Sequence, residues 1–363
     1  MSIRNVTLQV DRASHGESRV AASVMPALAE GQVRLRVERV ALTANTVTYA
    51  TVGDMLGYWD FFPTGDPSWG QVPAMGWAEV IESSHPEVSP GGRYYGWYPM
   101  ARYVDMAVTP TTDGLRDEGP HRAAHAAVYR AYTETTRDPL HQAGVDAEDR
   151  HALLRGLFFT GWLAEDYFAD HDWFGATRVL VMSASSKTAI SFAHCAAARA
   201  GIVVIGVTSP RNQGFTRALG CYDDVVTYDD VARVASDTPI VLIDMAGSGP
   251  ALASAHAHLG DQLKHSMAIG RSHHEAPPRV AGMSGSEPAF FFAPTRVKNR
   301  VQDWGPRGYQ ERVATALSAF VAQSPSWLRV QQSYGTAAAA ATWSKVHAGQ
   351  MAADVGHIIS LWD

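Results

Sequence analysis

The most informative stretch of the chain reads Thr177-Arg-Val-Leu-Val-Met-Ser-Ala-Ser-Ser-Lys-Thr-Ala189. Its residues 179–182 form a short apolar run, which is typical of a parallel strand that is buried on both faces. Small apolar side chains then recur at helical spacing through 189–200, and 202–207 form a second apolar run. A strand, a helix and a second strand in this order predict a βαβ unit.

The turn that joins the first strand to the helix is rich in serine and lacks glycine. Ser183, Ser186 and Ala189 stand at the places of the small residues in a GxxGxxG-like turn. In dinucleotide-binding folds this turn brings backbone amides to the pyrophosphate at the positive end of the helix. Small side chains still allow that approach, hydroxyl groups can donate to phosphate oxygens, and Lys187 adds a positive charge. The candidate cofactor residues of this turn are Ser183, Ser185, Ser186, Lys187 and Thr188.

The end of the second predicted strand indicates which dinucleotide is bound. A site for NAD carries a carboxylate here, which bonds the ribose hydroxyls. This chain has Thr208, Ser209 and Arg211 instead, two hydroxyl groups and a guanidinium that can hold a 2′-phosphate. We therefore expect NADP(H) rather than NAD(H). The alternative is a helix start in which Thr208 and Ser209 satisfy backbone amides and Arg211 is a solvated surface charge.

Length and composition favour a globular enzyme of two domains. The chain has 363 residues, of which 46% are hydrophobic and 18% are charged. A net charge of -6 without a basic cluster argues against a nucleic-acid partner, and the partner expected is a small-molecule substrate. Two cysteines, Cys195 and Cys221, indicate neither a disulfide framework nor a zinc cluster. With no apolar run typical of a signal peptide or membrane span, we expect a cytoplasmic protein without membrane contact.

The pattern of apolar residues divides the chain into three parts. Residues 1–110 alternate as in an all-β domain, and 120–170 are predicted as a connecting helical region with an exposed charged stretch at 146–150. From 177 onward strands and helices alternate, which predicts a doubly wound parallel sheet. The predicted strands are 6–10, 32–43, 78–83, 94–108, 179–182, 202–207, 225–228, 240–244, 266–270 and 355–361. The predicted helices are 189–200, 213–219, 250–259, 309–322 and 336–349.

An all-β front, a doubly wound middle and a tail of helices and a strand resemble the medium-chain dehydrogenase/reductase superfamily. One strand of this superfamily has the motif Pro-Gly-x-Glu-x-x-Gly-x-Val. A similar stretch in this chain is Val72-Pro-Ala-Met-Gly-Trp-Ala-Glu-Val-Ile81. The stretches 32–45, 215–228, 243–247 and 267–270 also resemble superfamily segments. More narrowly, 42–49, 57–63, 183–189 and 303–306 resemble the DUF2855 branch.

The resemblance implies an α/β fold with two domains. A GroES-like β-barrel catalytic domain would comprise 1–151 and 324–363, and a Rossmann domain with a doubly wound parallel sheet would comprise 152–323. It also implies strand ends beside the nicotinamide, and a homodimer that pairs through residues 280–294. Further candidate cofactor residues are Tyr228, Ala246, Gly247, Gly270 and Arg271.

The departures from the superfamily pattern argue against zinc. Zinc-dependent members have a cysteine and a Gly-His-Glu group as metal ligands, where this chain has Ala44-Asn45 and Gly76-Trp77. No cysteine precedes Cys195. We therefore expect no metal and a chain similar to the zinc-free quinone oxidoreductases and enoyl reductases. His273 and His274 could be considered as ligands, but a loop end beside the cofactor is favoured, because adjacent histidines face different ways.

The resemblance implies NADPH-dependent hydride transfer to an activated C=C bond of an enone, enoyl or quinone-type substrate. Charge then develops on the carbonyl oxygen and a proton must be supplied, which a phenol can do. Tyr49 is the candidate proton donor and Asn45 its orienting amide. The alternative for Tyr49 is a core aromatic residue with one hydrogen-bond partner.

Clustered aromatic residues are candidates for the wall of a substrate pocket or, equally, for core packing. They are Tyr58, Trp59, Phe62 and Tyr95. Two other functions stay open. One is reduction of a ketone or aldehyde carbonyl, and the other is NADP(H) binding without turnover.

Overall fold

The computed structural model describes residues 3–270 and 283–363. The strands, in chain order, are β1 (Arg4–Asp11), β2 (Ser18–Val24), β3 (Gln32–Leu42), β4 (Trp69–Gly70), β5 (Pro73–Ser83), β6 (Arg93–Pro99), β7 (Tyr103–Pro110), β8 (Gly114–Asp117), β9 (Ala131–Glu134), β10 (Arg178–Met182), β11 (Val203–Thr208), β12 (Asp224–Thr227), β13 (Ile240–Asp244), β14 (Leu263–Ala268), β15 (Pro288–Phe290), β16 (Arg329–Tyr334) and β17 (Val355–Ser360). The α-helices are α1 (Ala44–Thr51), α2 (Gly53–Leu56), α3 (Ala127–Arg130), α4 (Val145–Asp170), α5 (Lys187–Ala196), α6 (Gln213–Ala218), α7 (Gly249–Leu259), α8 (Ala293–Gln323) and α9 (Thr336–His347).

The chain forms two compact units, which we call the barrel unit and the sheet unit. The barrel unit comprises Met1–Leu153 and Leu328–Asp363, and the sheet unit comprises Leu154–Trp327. No helix among the described residues is both long and apolar enough to cross a membrane.

A closed ring of strands defines the barrel unit. The strand order is β3-β5-β6-β9-β8-β7, and β7 pairs back onto β3, so that six antiparallel strands form a barrel. The strands β17 and β16 extend the sheet beyond β3, and β2-β1-β4 form a separate small sheet. Side chains such as Leu35, Val80 and Trp343 are fully buried in one core, where each large apolar side chain contributes roughly 1.5–3 kcal/mol.

The sheet unit is a parallel sheet covered on both faces. Its strands lie in the order β12-β11-β10-β13-β14-β15, and all neighbouring pairs are parallel. Val179 and Val181 of β10 lie in one hydrophobic core, with residues of α4 and α5. Leu180 and Met182, which point the other way, lie in a second core with residues of α7. This sheet and the barrel confirm the predicted fold class.

The structure corrects several predicted elements. The segment 94–108 is two strands, β6 and β7, because the chain turns after Pro99. Only the last part of 120–170 is a long helix, α4, and short elements precede it. The predicted helix 309–322 is the end of α8, which starts at Ala293 and is interrupted at Gly305, whose φ is 72°. Of the predicted dimer strand, 280–282 lie outside the described residues, and only Pro288–Phe290 are extended.

The charged stretch 146–150 was expected to be exposed, and this was wrong for Glu148 and Asp149. Their side chains are 6% and 0% exposed. Arg39 of β3 donates from Nε to Asp149 Oδ1 at 2.6 Å and also pairs with Glu148. Arg93 of β6 donates from Nη1 to Glu148 Oε1 at 2.9 Å. Burial of these carboxylates is tolerated because arginines from two distant strands compensate their charge.

The ion pairs of Glu148 predict how the protein responds to acid. Burial by itself raises the pKa of this carboxyl, but hydrogen bonds from Arg93 and His141 outweigh it and lower the pKa to about 2. The unfolded value is about 4.3, so Glu148 stabilises the fold above about pH 5 and loses this contribution as the pH falls toward 2. The pKa of Asp149 shifts in the opposite direction, because burial raises it.

We therefore expect Glu148→Gln to reduce the loss of stability on acidification. Urea midpoints at pH 7, 4 and 3 should fall less steeply for the variant than for the wild-type protein. Because Asp149 is retained in both proteins, the difference between them isolates Glu148. Equal acid sensitivity of the two proteins would contradict this assignment.

Candidate functional site

The serine-rich turn of the sheet unit adopts a glycine-type backbone. Ser183, directly after β10, has φ 57°, in the left-handed region that favours glycine. Its backbone N–H donates to the hydroxyl of Tyr228, which follows β12, at 3.1 Å. Burial raises the pKa of the Tyr228 hydroxyl, so that it is neutral. The turn therefore has the left-handed backbone conformation typical of glycine at position 183, although the residue there is serine.

The helix that follows this turn begins at Lys187. Ser186 has extended backbone angles, and its Oγ accepts from the N–H of Ala189 at 3.4 Å, so it is the N-cap of α5. Lys187 and Thr188 are the first two residues of the helix and are half-buried. The turn thus delivers the positive end of a ten-residue helix to the carboxyl edge of the sheet.

A hydrogen-bonded group connects the turn to the end of β11. Thr208 is 1% exposed and donates from Oγ1 to Ser185 Oγ at 3.2 Å. Asn212 donates from Nδ2 to the same Ser185 oxygen at 3.0 Å. Ser209 and Arg211 lie between them in a 3₁₀ turn, with Ser209 half-buried and Arg211 exposed. The structure thus brings together four residues predicted from sequence, and it adds Asn212, which no sequence motif marks.

The end of β13 forms a second tight turn at the same edge. The carboxylate of Asp244, 2% exposed, accepts from the N–H of Ala246 at 2.8 Å and of Gly247 at 3.2 Å. Gly247 has φ 66°, which explains the glycine. Asp244 was not predicted, although an acidic residue at a strand end was a visible signal. Gly270 lies just after β14, whereas Arg271, His273 and His274 lie outside the described residues.

An open cavity of about 530 Å³ lies at this edge of the sheet unit. It is lined by Tyr228, Asp229, Ser248, Pro250, Ala251 and Ser254. Tyr228 was predicted to contact a cofactor. The other five were missed, because they come from the loops after β12 and β13 and from α7, and no motif marks them.

In the barrel unit, α1 places Asn45 and Tyr49 on one face. The helix begins after Thr43, whose backbone N–H donates to Thr46 Oγ1 at 3.1 Å in a capping box. Residues four apart on a helix are neighbours, and Asn45 Nδ2 donates a hydrogen bond to the Tyr49 hydroxyl oxygen. The spacing of these two residues in the sequence already allowed this contact.

The Tyr49 hydroxyl is set up as a neutral donor. Burial, with smaller contributions from neighbouring tyrosines, raises its pKa well above the usual value. Asn45 fills a lone pair of the hydroxyl oxygen, which leaves the hydroxyl hydrogen to be donated elsewhere. The group can therefore donate a hydrogen bond, and a proton when charge develops on its acceptor.

The four predicted pocket residues are all buried in the barrel unit. Tyr58, Trp59, Phe62 and Tyr95 are between 4% and 8% exposed. The ring of Tyr58 packs against that of Tyr49 with centroids 4.6 Å apart, and its hydroxyl lies 3.1 Å from that of Tyr129. Tyr129 was not predicted. Packing accounts for these contacts, and a role as a pocket wall stays a prediction.

The positions that correspond to the zinc ligands of zinc-dependent members are Ala44-Asn45 and Gly76-Trp77, which make other contacts. Trp77 is fully buried, and its indole N–H donates to the backbone carbonyl of Glu148 at 3.1 Å. Over residues 3–270 and 283–363, no group of three or more His, Cys, Asp or Glu side chains could hold a metal ion.

A closed six-stranded barrel and a parallel sheet ordered β12-β11-β10-β13-β14-β15 are the architecture of the medium-chain dehydrogenases/reductases, as the sequence resemblance predicted. The chain belongs to the family described as "Protein of unknown function (DUF2855)", whose model matches residues 40–352. No curated protein matches the sequence.

Solved structures with the same fold align with nearly the whole chain at low sequence identity. CurA from Vibrio vulnificus, in complex with NADPH, is 14% identical over 99% of this chain and 100% of its own, with a TM-score of 0.60. The yhdH oxidoreductase from Salmonella enterica, in complex with NADP, is 15% identical over 99% of each chain, with a TM-score of 0.55. Etr1p, in complex with NADP and crotonyl-CoA, is 10% identical over 99% of this chain and 100% of its own, with a TM-score of 0.59.

Proposed function

We propose that this protein is an NADPH-dependent, zinc-free oxidoreductase that reduces an activated C=C bond. The observation that carries the proposal is the edge of the sheet unit at the end of β11. Residues 208–212 present hydroxyl groups and the Arg211 guanidinium where a site for NAD has a carboxylate. The complexes of CurA with NADPH and of the yhdH oxidoreductase with NADP support the same cofactor.

The residues of this edge fit a dinucleotide. Ser183 supplies the backbone bend, α5 supplies a positive helix end, and the cavity of about 530 Å³ has room for a nucleoside. Lys187 and Arg211 would hold phosphate charge, Ser185 and Ser209 would contribute hydroxyl groups around it, and Thr208 would support Ser185 through its hydrogen bond. The sheet unit is accordingly proposed as the dinucleotide-binding domain, and the barrel unit as the catalytic domain.

The barrel unit supplies the proton chemistry in this proposal. Bound NADPH would supply the hydride. Tyr49 donates a hydrogen bond to the carbonyl oxygen of an enone, enoyl or quinone-type substrate and stabilises the charge that develops there. Asn45 keeps the hydroxyl oriented. Crotonyl-CoA in the Etr1p complex is an α,β-unsaturated thioester, which favours an alkene over an isolated carbonyl as the group reduced.

Two further features of the protein are proposed with the function. A homodimer is supported by β15, an edge strand of the sheet that ends at the 63% exposed Phe290, and by Phe292, which follows it and is 36% exposed. A cytoplasmic location is supported by the two free cysteines, Cys195 and Cys221.

Titration with NADPH and with NADH tests the proposed function. We expect NADPH to bind more tightly, and Arg211→Ala to weaken NADPH about tenfold and NADH less than about twofold, because charge-assisted bonds to the 2′-phosphate are lost. Lys187→Ala should act in the same direction. Nicotinamide fluorescence and thermal shift provide the readouts.

A matched control is Arg178→Ala, which removes a half-buried arginine at the opposite end of β10, where its Nη1 donates to the Ala235 carbonyl. It should leave both affinities unchanged. Absence of binding of either nucleotide to the wild-type protein would refute the dinucleotide assignment. Equal binding of both would refute the phosphate-recognising role of Arg211.

A further inference from the structure

The Ser185 hydroxyl is held by two donors from the far side of the turn. Thr208 Oγ1 and Asn212 Nδ2 both donate to Ser185 Oγ, at 3.2 Å and 3.0 Å. These donors lie 23 and 27 positions away in the sequence, at the end of β11 and just beyond it. Ser185 itself lies between β10 and α5 and is half-buried.

This arrangement leaves one direction for the serine proton. A hydroxyl oxygen has two lone pairs and one hydrogen, and here both lone pairs accept hydrogen bonds. The hydrogen must then be donated to a third group. In the described part of the chain, Ser185 Oγ has no further hydrogen-bond partner. The serine is therefore a directed donor that can accept nothing more, so the ligand atom that faces it must accept a hydrogen bond, and a charged phosphate oxygen makes the stronger bond.

The Asn212 side chain is directed at Ser185 and not at the start of α6. The 3₁₀ turn Pro210–Asn212 runs directly into α6, and Asn212 has helical backbone angles, with φ -101° and ψ -4°. Its side chain makes no cap hydrogen bond, and its amide nitrogen donates to Ser185 Oγ.

We propose that Asn212, with Thr208, is a positioning residue that fixes the Ser185 hydroxyl as a donor to the 2′-phosphate of the cofactor. This inference rests on the proposed function, since it assumes an adenosine phosphate at this edge. Asn212 acts through Ser185 and does not itself contact the ligand. The residue thereby contributes to the preference for a 2′-phosphorylated nucleotide over one with a free 2′-hydroxyl.

Two small probes separate this role from the rest of the cofactor site. 2′,5′-ADP carries the 2′-phosphate without the nicotinamide, and 5′-AMP lacks the 2′-phosphate. Isothermal titration calorimetry with the full-length protein measures both affinities without any turnover. We expect Asn212→Ala to weaken 2′,5′-ADP about tenfold and 5′-AMP less than about twofold.

A double-mutant cycle tests whether Asn212 acts through Ser185. Ser185→Ala should weaken 2′,5′-ADP at least as much as Asn212→Ala, and the double variant should bind like Ser185→Ala within about twofold. Gln213→Ala is the matched control, because it removes the neighbouring amide, which donates to Val225 O at 3.1 Å. If Asn212→Ala does not fold, Thr208→Val removes the other donor and should shift the same ratio.

Three results would overturn the inference. They are an equal effect of Asn212→Ala on both probes, no effect on either, and a further tenfold loss when Asn212→Ala is added to Ser185→Ala. Each leaves the proposed function standing if the wild-type protein still prefers NADPH. If the wild-type protein binds neither probe nor NADPH, the inference and the proposed function fall together.

Discussion

Replacement of Tyr49 by phenylalanine should lower kcat by about a hundredfold or more and leave the affinity for NADPH unchanged within about twofold. The substitution removes one hydroxyl group and keeps the ring. The centroid of this ring lies 4.6 Å from that of Tyr58 and 5.3 Å from that of Trp97, and this packing holds it in place. The measurement is steady-state oxidation of NADPH with a panel of enones, enoyl thioesters and quinones, together with NADPH titration of each variant.

The physical reason lies in the state of the hydroxyl group. Burial raises the pKa of Tyr49, so the phenol stays protonated at neutral pH and can donate to a carbonyl oxygen. For the same reason, the activity should not decline through deprotonation of Tyr49 between pH 7 and about pH 10. Phenylalanine offers neither a hydrogen bond to the developing charge nor a proton.

Tyr98→Phe is the matched control in the same unit. Tyr98 is fully buried, and its hydroxyl donates to the Tyr94 carbonyl at 3.0 Å, away from Asn45 and Tyr49. We expect lower stability and unchanged kcat. If Tyr49→Phe leaves turnover intact, Tyr49 is not the acid. A protein that binds NADPH but turns over none of the panel would favour NADP(H) binding without catalysis.

Removal of the Arg39 charge should destabilise the barrel unit by about 3–5 kcal/mol. Arg39→Met keeps most of the side-chain volume but leaves the fully buried Asp149 without its cation. Glu148 also loses one of its two arginines. An uncompensated carboxylate in a buried position is costly because it cannot regain its hydration. Urea denaturation monitored by tryptophan fluorescence would measure the change.

An exposed ion pair provides the comparison. Arg307 and Glu311 pair at 2.7 Å on α8, with side chains 91% and 62% exposed. Arg307→Met should leave the urea midpoint nearly unchanged, since water screens such exposed pairs. Similar losses for Arg39→Met and Arg307→Met would contradict the role assigned to burial.

The parallel sheet could be predicted because its strands are marked locally. Residues 179–182 and 202–207 are short apolar runs, and the observed strands β10 and β11 match them within one residue at each end. Runs of this kind arise because both faces of the strand are covered. The contact between Asn45 and Tyr49 was also accessible, since it depends only on the spacing of four residues on a helix.

Other features could not be predicted, because their causes lie far away in the sequence. In the sequence, Glu148 and Asp149 have the pattern of exposed surface charges. Only the fold brings Arg39, about 110 residues earlier, beside them. The division of 94–108 into β6 and β7 depends on pairing with β5 and β3, which local alternation does not encode.

Taken alone, the amino-acid sequence established the two types of domain, the polar and cationic character of residues 183–188 and 208–211, and the candidate phenol at Tyr49. These follow from residue type and from periodicity, which act over a few positions. Folding added the left-handed Ser183, the burial of Tyr49, and the donors that fill both lone pairs of Ser185. Hydrogen-bond direction and desolvation depend on neighbours from other strands, so only the assembled fold specifies them.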